Sequence, residues 1–215
     1  MTADDGMRSG EHVVLLHGLW MRAFTLASLR RRLEAAGYAV VPFDYASVLR
    51  DPQASIAQLA ARVRALPASK VHYVGHSLGG LIALQALQQA PDLPPGHVVC
   101  LGSPLRGSAV ARNLARIPGG TMLIGKSAAI LRDGLDRWNG ERAVGVIAGR
   151  MPMGFGMLTG ALSGPHDGTV SVAETELPGL SDHHVVAATH VGLLFSDEVA
   201  AQTIAFLRAQ RFARG

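Results

Sequence analysis

Short apolar runs alternate along the chain with longer stretches of helical periodicity. The apolar runs have the length of β-strands and are bounded mainly by glycine, proline or polar residues. They lie at 12–16, 38–43, 70–74, 97–101, 142–148 and 183–188. Continuous apolar runs of this length are typical of strands that are buried on both faces of a sheet. The pattern therefore predicts an α/β fold in which a mostly parallel central sheet is flanked by helices.

The periodic stretches between these runs predict the connecting helices. They lie at 23–36, 51–66, 77–90 and 196–208. Asp51 is expected to be the N-cap of the second helix, with Pro52 at its first position. The third helix is almost wholly apolar in its first turns, which indicates burial against the sheet.

The rhythm changes after the fourth strand. Glycines and small residues surround two amphipathic stretches, 109–116 and 126–137, which predict a small helical excursion from the sheet. A chain of 215 residues with 48% hydrophobic content is enough for one sizeable core. We therefore expect a single domain over 1–215, within which residues 104–141 form a small lid-like insertion.

The most informative local sequence is Gly-His-Ser-Leu-Gly at 75–79, between an apolar strand and an apolar helix. A Gly-x-Ser-x-Gly sequence in this context is typical of a tight turn whose glycines allow close contact and whose strain exposes the serine hydroxyl. This context favours the interpretation that Ser77 is a nucleophile over the alternative that it only forms a structural turn.

A serine hydroxyl needs a general base, and nine histidines are candidates. His190 lies between the last strand and the last helix, which places it on a loop at the carboxyl edge of the sheet, where open α/β sheets carry their sites. His183 and His184 begin the same strand and are expected at its opposite end. His17, which follows the first strand, is expected to support the site rather than to react. We therefore predict that His190 is the base.

The base needs a carboxylate to orient it. Asp167 lies in a turn that follows the strand 142–148 and precedes His190, which gives the chain order Ser, acid, His expected of this arrangement. Asp182 and Asp44 remain alternatives. Asp182 is expected at the wrong end of the last strand, and Asp44 breaks the chain order.

The negative charge of a tetrahedral intermediate needs backbone N–H donors. The residue after the nucleophile, Leu78, and Leu19 in the loop after the first strand are the candidates for this oxyanion hole.

These motifs together resemble the lipase and esterase branch of the α/β-hydrolase superfamily, including its compact bacterial members. They are His17-Gly18-Leu19, the sequences at 75–80 and 102–108, Asp-Gly-Thr-Val at 167–170, and His190 followed by Val-Gly-Leu-Leu. The resemblance implies the α/β-hydrolase fold and serine-dependent hydrolysis of carboxylic esters, with Ser77, Asp167 and His190 as the catalytic residues. A thioesterase or an acyltransferase would use the same residues, and a non-catalytic binding module would keep only the scaffold.

The expected partner is a small-molecule ester with an apolar acyl chain, and the mechanism requires no metal or organic cofactor. Two stretches could shape an acyl pocket, the excursion over 109–130 and the loop at 151–158. In the loop, three methionines and a phenylalanine among glycines suggest an adaptable apolar surface, in which Met153 and Phe155 would contact the acyl chain. Ordinary packing of a loop is the alternative.

Composition narrows these expectations further. The net charge is +4, but the arginines are spread along the chain and aromatic residues make up only 5%, so no nucleic-acid surface is expected. No apolar segment has the length of a membrane span, and none of signal-peptide length precedes the first strand. The sequence thus favours a cytoplasmic protein without integral membrane association.

Overall fold

The computed structural model describes residues 10–153 and 162–214. Six strands form one sheet in the order β2-β1-β3-β4-β5-β6, and every neighbouring pair is parallel. This confirms the predicted parallel sheet. The strands are β1 (Glu11–Leu16), β2 (Ala39–Phe43), β3 (Lys70–His76), β4 (Val98–Leu101), β5 (Val144–Gly149) and β6 (Asp182–Val186).

The register of the strands brings their carboxyl ends to one edge of the sheet. Leu16 pairs with both Phe43 and Gly75, and Gly75 pairs in turn with Cys100. The segments that follow β1, β3 and β4 therefore emerge side by side at this edge.

Helices cover both faces of the sheet. They are α1 (Ala27–Ala35), α2 (Pro52–Arg64), α3 (Leu78–Gln89), α4 (Ala109–Leu114), α5 (Gly120–Ile124), α6 (Ala128–Asp133), α7 (Val172–Thr175) and α8 (Asp197–Ala209). One core packs α2 and α3 against the sheet, and a second core packs α1 and α8 against the other face. The predicted cap of α2 is confirmed, because the Asp51 side chain accepts a hydrogen bond from the N–H of Gln53 and Pro52 begins the helix.

The excursion after β4 differs in detail from the expectation. The stretch expected to be one helix over 126–137 is a 3-10 turn followed by α6, which ends at Asp133. The chain turns there because Gly134 has φ of 65° and packs so closely that a Cβ on it would lie 2.5 Å from the Leu105 carbonyl oxygen. The helix α5 was not predicted, since five residues between Gly119 and Gly125 are too few to show a period.

The expected helix over 23–36 is likewise divided into a 3-10 turn, Ala23–Leu26, and α1. Within the described ranges, no helix combines the length and the apolar character that crossing a bilayer requires.

A buried histidine lies near the amino end of β3, far along the strand from Ser77. The His72 ring packs against Tyr38 and His97, and its Nδ1 accepts a hydrogen bond from the His97 backbone N–H at 3.1 Å. Its Nε2 lies 3.6 Å from a carboxylate oxygen of Glu11. Burial first, and then the neighbouring His97, lower the pKa of His72 to about 4.

This histidine should make the fold sensitive to acid. The unfolded imidazole binds a proton near its ordinary pKa of 6.5, whereas the folded one does so near 4. Between these values the unfolded state binds more protons, so the free energy of unfolding falls as the pH falls. From pH 7 to pH 5 this one group should contribute a loss of about 2 kcal/mol. Denaturant unfolding of the native chain and of His72→Asn, which keeps an acceptor for the His97 N–H, would measure it. Equal losses in both proteins would contradict the assignment.

Candidate active site

Ser77 stands alone between the end of β3 and the first residue of α3. Its φ of 55° and ψ of −122° are unusual for a residue other than glycine. Its side chain makes no capping hydrogen bond to α3. The backbone conformation thus holds the hydroxyl at the N-terminal end of α3, where it is not used as a helix cap.

Close packing explains the glycines around Ser77. A Cβ on Gly75 would lie 2.5 Å from the carbonyl carbon of Gly79, and a Cβ on Gly79 would lie 2.5 Å from the carbonyl oxygen of Leu16. Gly80 is equally confined, since its Cβ would lie 2.9 Å from that of Ser103. The strand and the helix therefore approach each other at a distance that only glycine permits.

Asp167 and His190 form a buried hydrogen-bonded pair. His190 Nδ1 donates to Asp167 Oδ2 at 2.7 Å, and the backbone N–H of His190 donates to the Asp167 carbonyl oxygen at 2.9 Å. The carboxylate is only 1% exposed, and its other oxygen accepts hydrogen bonds from the N–H groups of Thr169 and Val170. A buried carboxylate with these donors is well satisfied, and it leaves Nε2 of His190 as the ring nitrogen free to act in the cavity.

Ser77 and His190 line the same cavity, which has a volume of about 390 Å³. Its described lining contains no Asp, Glu, Lys or Arg. The described lining residues are Gly18, Leu19, Trp20, Met21, His76, Ser77, Pro104, Ser108, Val110, Ala111, Leu114, Leu123, Ile124, Leu131, Thr169, Val170, His190 and Val191. Most of the apolar wall comes from the excursion after β4.

The two expected oxyanion donors belong to segments that reach this cavity. Leu78 is the first residue of α3, where a helix leaves its N–H groups without intrahelical partners. Leu19 lines the cavity directly. In the described chain, no backbone or side-chain acceptor takes a hydrogen bond from either N–H.

His17 supports the loop that carries Leu19. Its ring stacks on Tyr45 with centroids 4.4 Å apart, and its Nδ1 donates to the Gly18 carbonyl oxygen at 2.9 Å. The Tyr45 hydroxyl donates to the His17 carbonyl oxygen at 2.7 Å. Burial lowers the pKa of His17 and raises that of Tyr45. The supporting position expected for His17 thus rests on a stacked, hydrogen-bonded pair.

His76 contacts His190. Its Nε2 donates to the His190 carbonyl oxygen at 2.9 Å, and the two rings lie 4.6 Å apart. Burial first, and then the adjacent His190, lower the pKa of His76 to about 3, so it is neutral near neutral pH. The partner of His76 lies 114 residues away along the chain, so no local sequence pattern reveals this contact.

Glu174 connects the excursion to the loop of Asp167. Its carboxylate accepts hydrogen bonds from the N–H and the hydroxyl of Ser171 at 2.7 and 2.9 Å, which caps α7. The other carboxylate oxygen accepts from the N–H of Ala109, the first residue of α4. One buried side chain therefore anchors both segments, a link that the sequence pattern gave no sign of.

The remaining described candidates do not line the cavity, and Asp44 Oδ1 lies 3.2 Å from His17 Nε2. Asp182 accepts from the N–H groups of His183 and Phe212, and Asp44 pairs with Arg22. Met153 is 66% exposed and is not among the described residues that line the cavity. Phe155 lies outside the described residues. The described ranges contain no group of three or more His, Cys, Asp or Glu side chains that could hold a metal ion.

A sequence profile of the alpha/beta hydrolase family matches residues 13–205. The chain therefore belongs to this family, and its membership supports a hydrolase activity. A search of curated protein sequences found no match.

Solved structures with the same fold include several hydrolases. The lipase BlEst2 of Bacillus licheniformis, in its propeptide form, is 21% identical with a TM-score of 0.76, over 95% of this chain and 50% of that one. A metagenomic carboxyl esterase, MGS0156, is 20% identical with a TM-score of 0.66, over 85% and 65%. The type II thioesterase BorB of the borrelidin cluster is 16% identical with a TM-score of 0.59, over 94% and 92%. The chain thus spans half of the lipase and about two thirds of the esterase.

Gly102 offers a test of the pair formed by Asp167 and His190. It has φ of 55°, and a Cβ there would lie 3.0 Å from Asp167 Oδ2 and 3.1 Å from His190 Nδ1. We expect Gly102→Ala to disturb this hydrogen bond, which would shift or abolish the downfield proton NMR signal of His190 Nδ1–H.

Two other glycines provide controls for backbone strain. Gly119 and Gly164 also have positive φ, but a Cβ on either would meet nothing within 4 Å. Alanine at each should cost about 1–2 kcal/mol of stability through the left-handed conformation alone, with the proton signal retained. Loss of the signal in all three variants would instead indicate a general effect of strain.

Proposed function

We propose that this protein hydrolyses carboxylic esters through an acyl-enzyme on Ser77. His190, oriented by Asp167, takes the proton of the Ser77 hydroxyl as its oxygen attacks the ester carbonyl carbon. The backbone N–H groups of Leu19 and Leu78 stabilise the negative oxygen of the tetrahedral intermediate. His190 then protonates the departing alcohol, and afterwards it activates the water that releases the acid and restores Ser77.

The observation that carries this proposal is the shared cavity of Ser77 and His190, combined with the buried hydrogen bond from His190 to Asp167. A positive φ at Ser77 adds support, because backbone strain in a non-glycine residue persists only where surrounding contacts maintain it, and such strain clusters at active sites.

The proposed substrate is a small ester with an uncharged, apolar acyl group. An ionised acyl chain would lose hydration in the described part of this cavity without gaining a charged partner. The volume of about 390 Å³ lies at the lower end of the range for small-molecule sites, which suits a short to medium acyl chain. In this proposal residues 104–141, which the sequence predicts to be a lid-like insertion, form the wall of the acyl site.

Covalent labelling tests the nucleophile without knowledge of the substrate. A fluorophosphonate probe should label the native chain, and Ser77→Ala and His190→Ala should abolish labelling or slow it severely. Asp167→Asn should lower kcat on a short-chain ester on the order of 10⁴-fold, because the imidazole loses the partner that fixes its tautomer.

Controls for labelling come from residues outside the cavity. Ser55→Ala in α2 and His184→Ala in β6 should label like the native protein. A folded native chain that does not label, or a Ser77→Ala variant that labels normally, would reject the proposed nucleophile.

Acyl-chain preference tests the wall of the site. Ala111 is buried and lines the cavity, so Ala111→Leu should shorten the space available. Each methylene that no longer fits loses roughly 0.8 kcal/mol of transfer free energy, or about fourfold in kcat/KM. Activity on decanoyl esters should therefore fall more than tenfold while activity on acetyl esters changes little.

Met153→Ala provides the comparison for this change, because Met153 is exposed and outside the described lining. We expect its profile from acetyl to decanoyl esters to match that of the native protein. If Met153→Ala shifts the profile and Ala111→Leu does not, the acyl chain lies against 151–158 rather than against the excursion.

A further inference from the structure

Trp20 follows the proposed oxyanion donor Leu19, and its backbone has an unusual conformation. Its φ of 60° lies in the left-handed region, which among described non-glycine residues only Ser77 and Gln210 share. A bulky side chain in this region carries a cost in free energy, so it persists where surrounding contacts hold it. The left-handed backbone conformation of Trp20 therefore needs contacts that maintain it.

Two hydrogen bonds hold Trp20. Its backbone N–H donates to the Ser47 hydroxyl oxygen at 3.2 Å, and its indole Nε1–H donates to the Leu123 carbonyl oxygen at 2.7 Å. The side chain is 67% exposed. Burial alone does not fix the indole, so the bond to Leu123 is its specific attachment to α5.

Ser47, which accepts the hydrogen bond from the Trp20 N–H, is itself connected to the segment that follows α5. Its carbonyl oxygen accepts a hydrogen bond from the Ser127 hydroxyl at 2.5 Å, and the neighbouring Val48 carbonyl oxygen accepts from the Lys126 N–H at 2.9 Å. The loop after β1, the loop after β2 and the segment 120–127 are thus linked to one another. Leu123, in the middle of this circuit, also lines the cavity.

We propose that Trp20 is a positioning residue that couples the position of the Leu19 N–H, the oxyanion donor, to the position of α5. As a result, the enzyme discriminates between acyl chains of different length through kcat. This inference rests on the proposed function. An acyl chain that fits leaves α5 in place and keeps the bond from the indole to Leu123. A chain that is too long displaces α5, breaks this bond and lets the strained backbone relax.

The consequence falls on the transition state. When Trp20 relaxes, the Leu19 N–H moves away from the developing oxyanion, whereas the substrate keeps its contacts with the lining residues outside α5. Interactions made only in the transition state appear in kcat and not in KM. Poor substrates should therefore bind and then react slowly.

The experiment compares Trp20→Phe, which keeps an aromatic ring but loses the indole N–H, with Ser47→Ala, which removes the other acceptor. We measure kcat and KM for acetyl to decanoyl esters and the preference for an ester over its thiono analogue, whose sulfur is a poorer acceptor in an oxyanion hole. Both variants should lower kcat for short chains roughly tenfold, between the losses expected for one hydrogen bond and for one oxyanion donor. KM should stay within about twofold, and both the thiono preference and the kcat ratio of short to long chains should shrink.

Two further variants separate the causes. Trp20→Gly adopts positive φ without strain, so it should fold well and keep kcat for short chains, while the kcat ratio of short to long chains still shrinks because the indole N–H is lost. Phe24→Leu changes an apolar side chain that is 77% exposed and outside the described lining, and it should leave all four quantities unchanged.

The outcomes distinguish this proposal from the one on which it rests. An unchanged kcat in Trp20→Phe and Ser47→Ala, or a change confined to KM, would overturn the role of Trp20 while Ser77 of the native chain still reacts with a fluorophosphonate. Absence of that reaction in the folded native chain would overturn both proposals.

Discussion

The tight contact between β3 and α3 is the constraint on which the rest of the site depends. Gly79 lies against the carbonyl group of Leu16, so the same contact fixes the loop that carries Leu19. Gly80 lies against Ser103, which fixes the segment after β4. The turn at Ser77 is therefore held from both neighbouring strands, and its strained backbone is maintained by packing that has no room for adjustment.

The distribution of charge in the site follows from burial. Asp167 has its carboxylate satisfied by two backbone N–H groups and by His190. Burial lowers the pKa values of His17 and His76, so neither carries a competing positive charge near neutral pH. An imidazolium that forms on His190 would thus have a buried carboxylate beside it and neutral rings around it, which would favour the proposed proton transfer from Ser77.

The sequence was most informative where the signal is local. The parallel strands, the Asp51 cap and the glycines around Ser77 each depend on neighbouring residues, and the structure agrees with them. The helix α5 in the cavity wall could not be predicted, because it is defined by the close approach of Gly125 to Val48 and has no period of its own. The left-handed backbone of Trp20 is equally hidden, since it depends on contacts that are distant in the chain.

Glu174 has a consequence for how this scaffold could be recombined. Because its carboxylate accepts hydrogen bonds from both Ser171 and Ala109, the excursion and the loop of Asp167 are not independent modules. A chimera that replaced only the excursion with one of another shape would leave this buried carboxylate without the donor that Ala109 supplies to one of its oxygens. A chimera would have to exchange two segments that are separate in sequence, the excursion and the segment from Asp167 to Thr175, and both would have to come from the same parent protein.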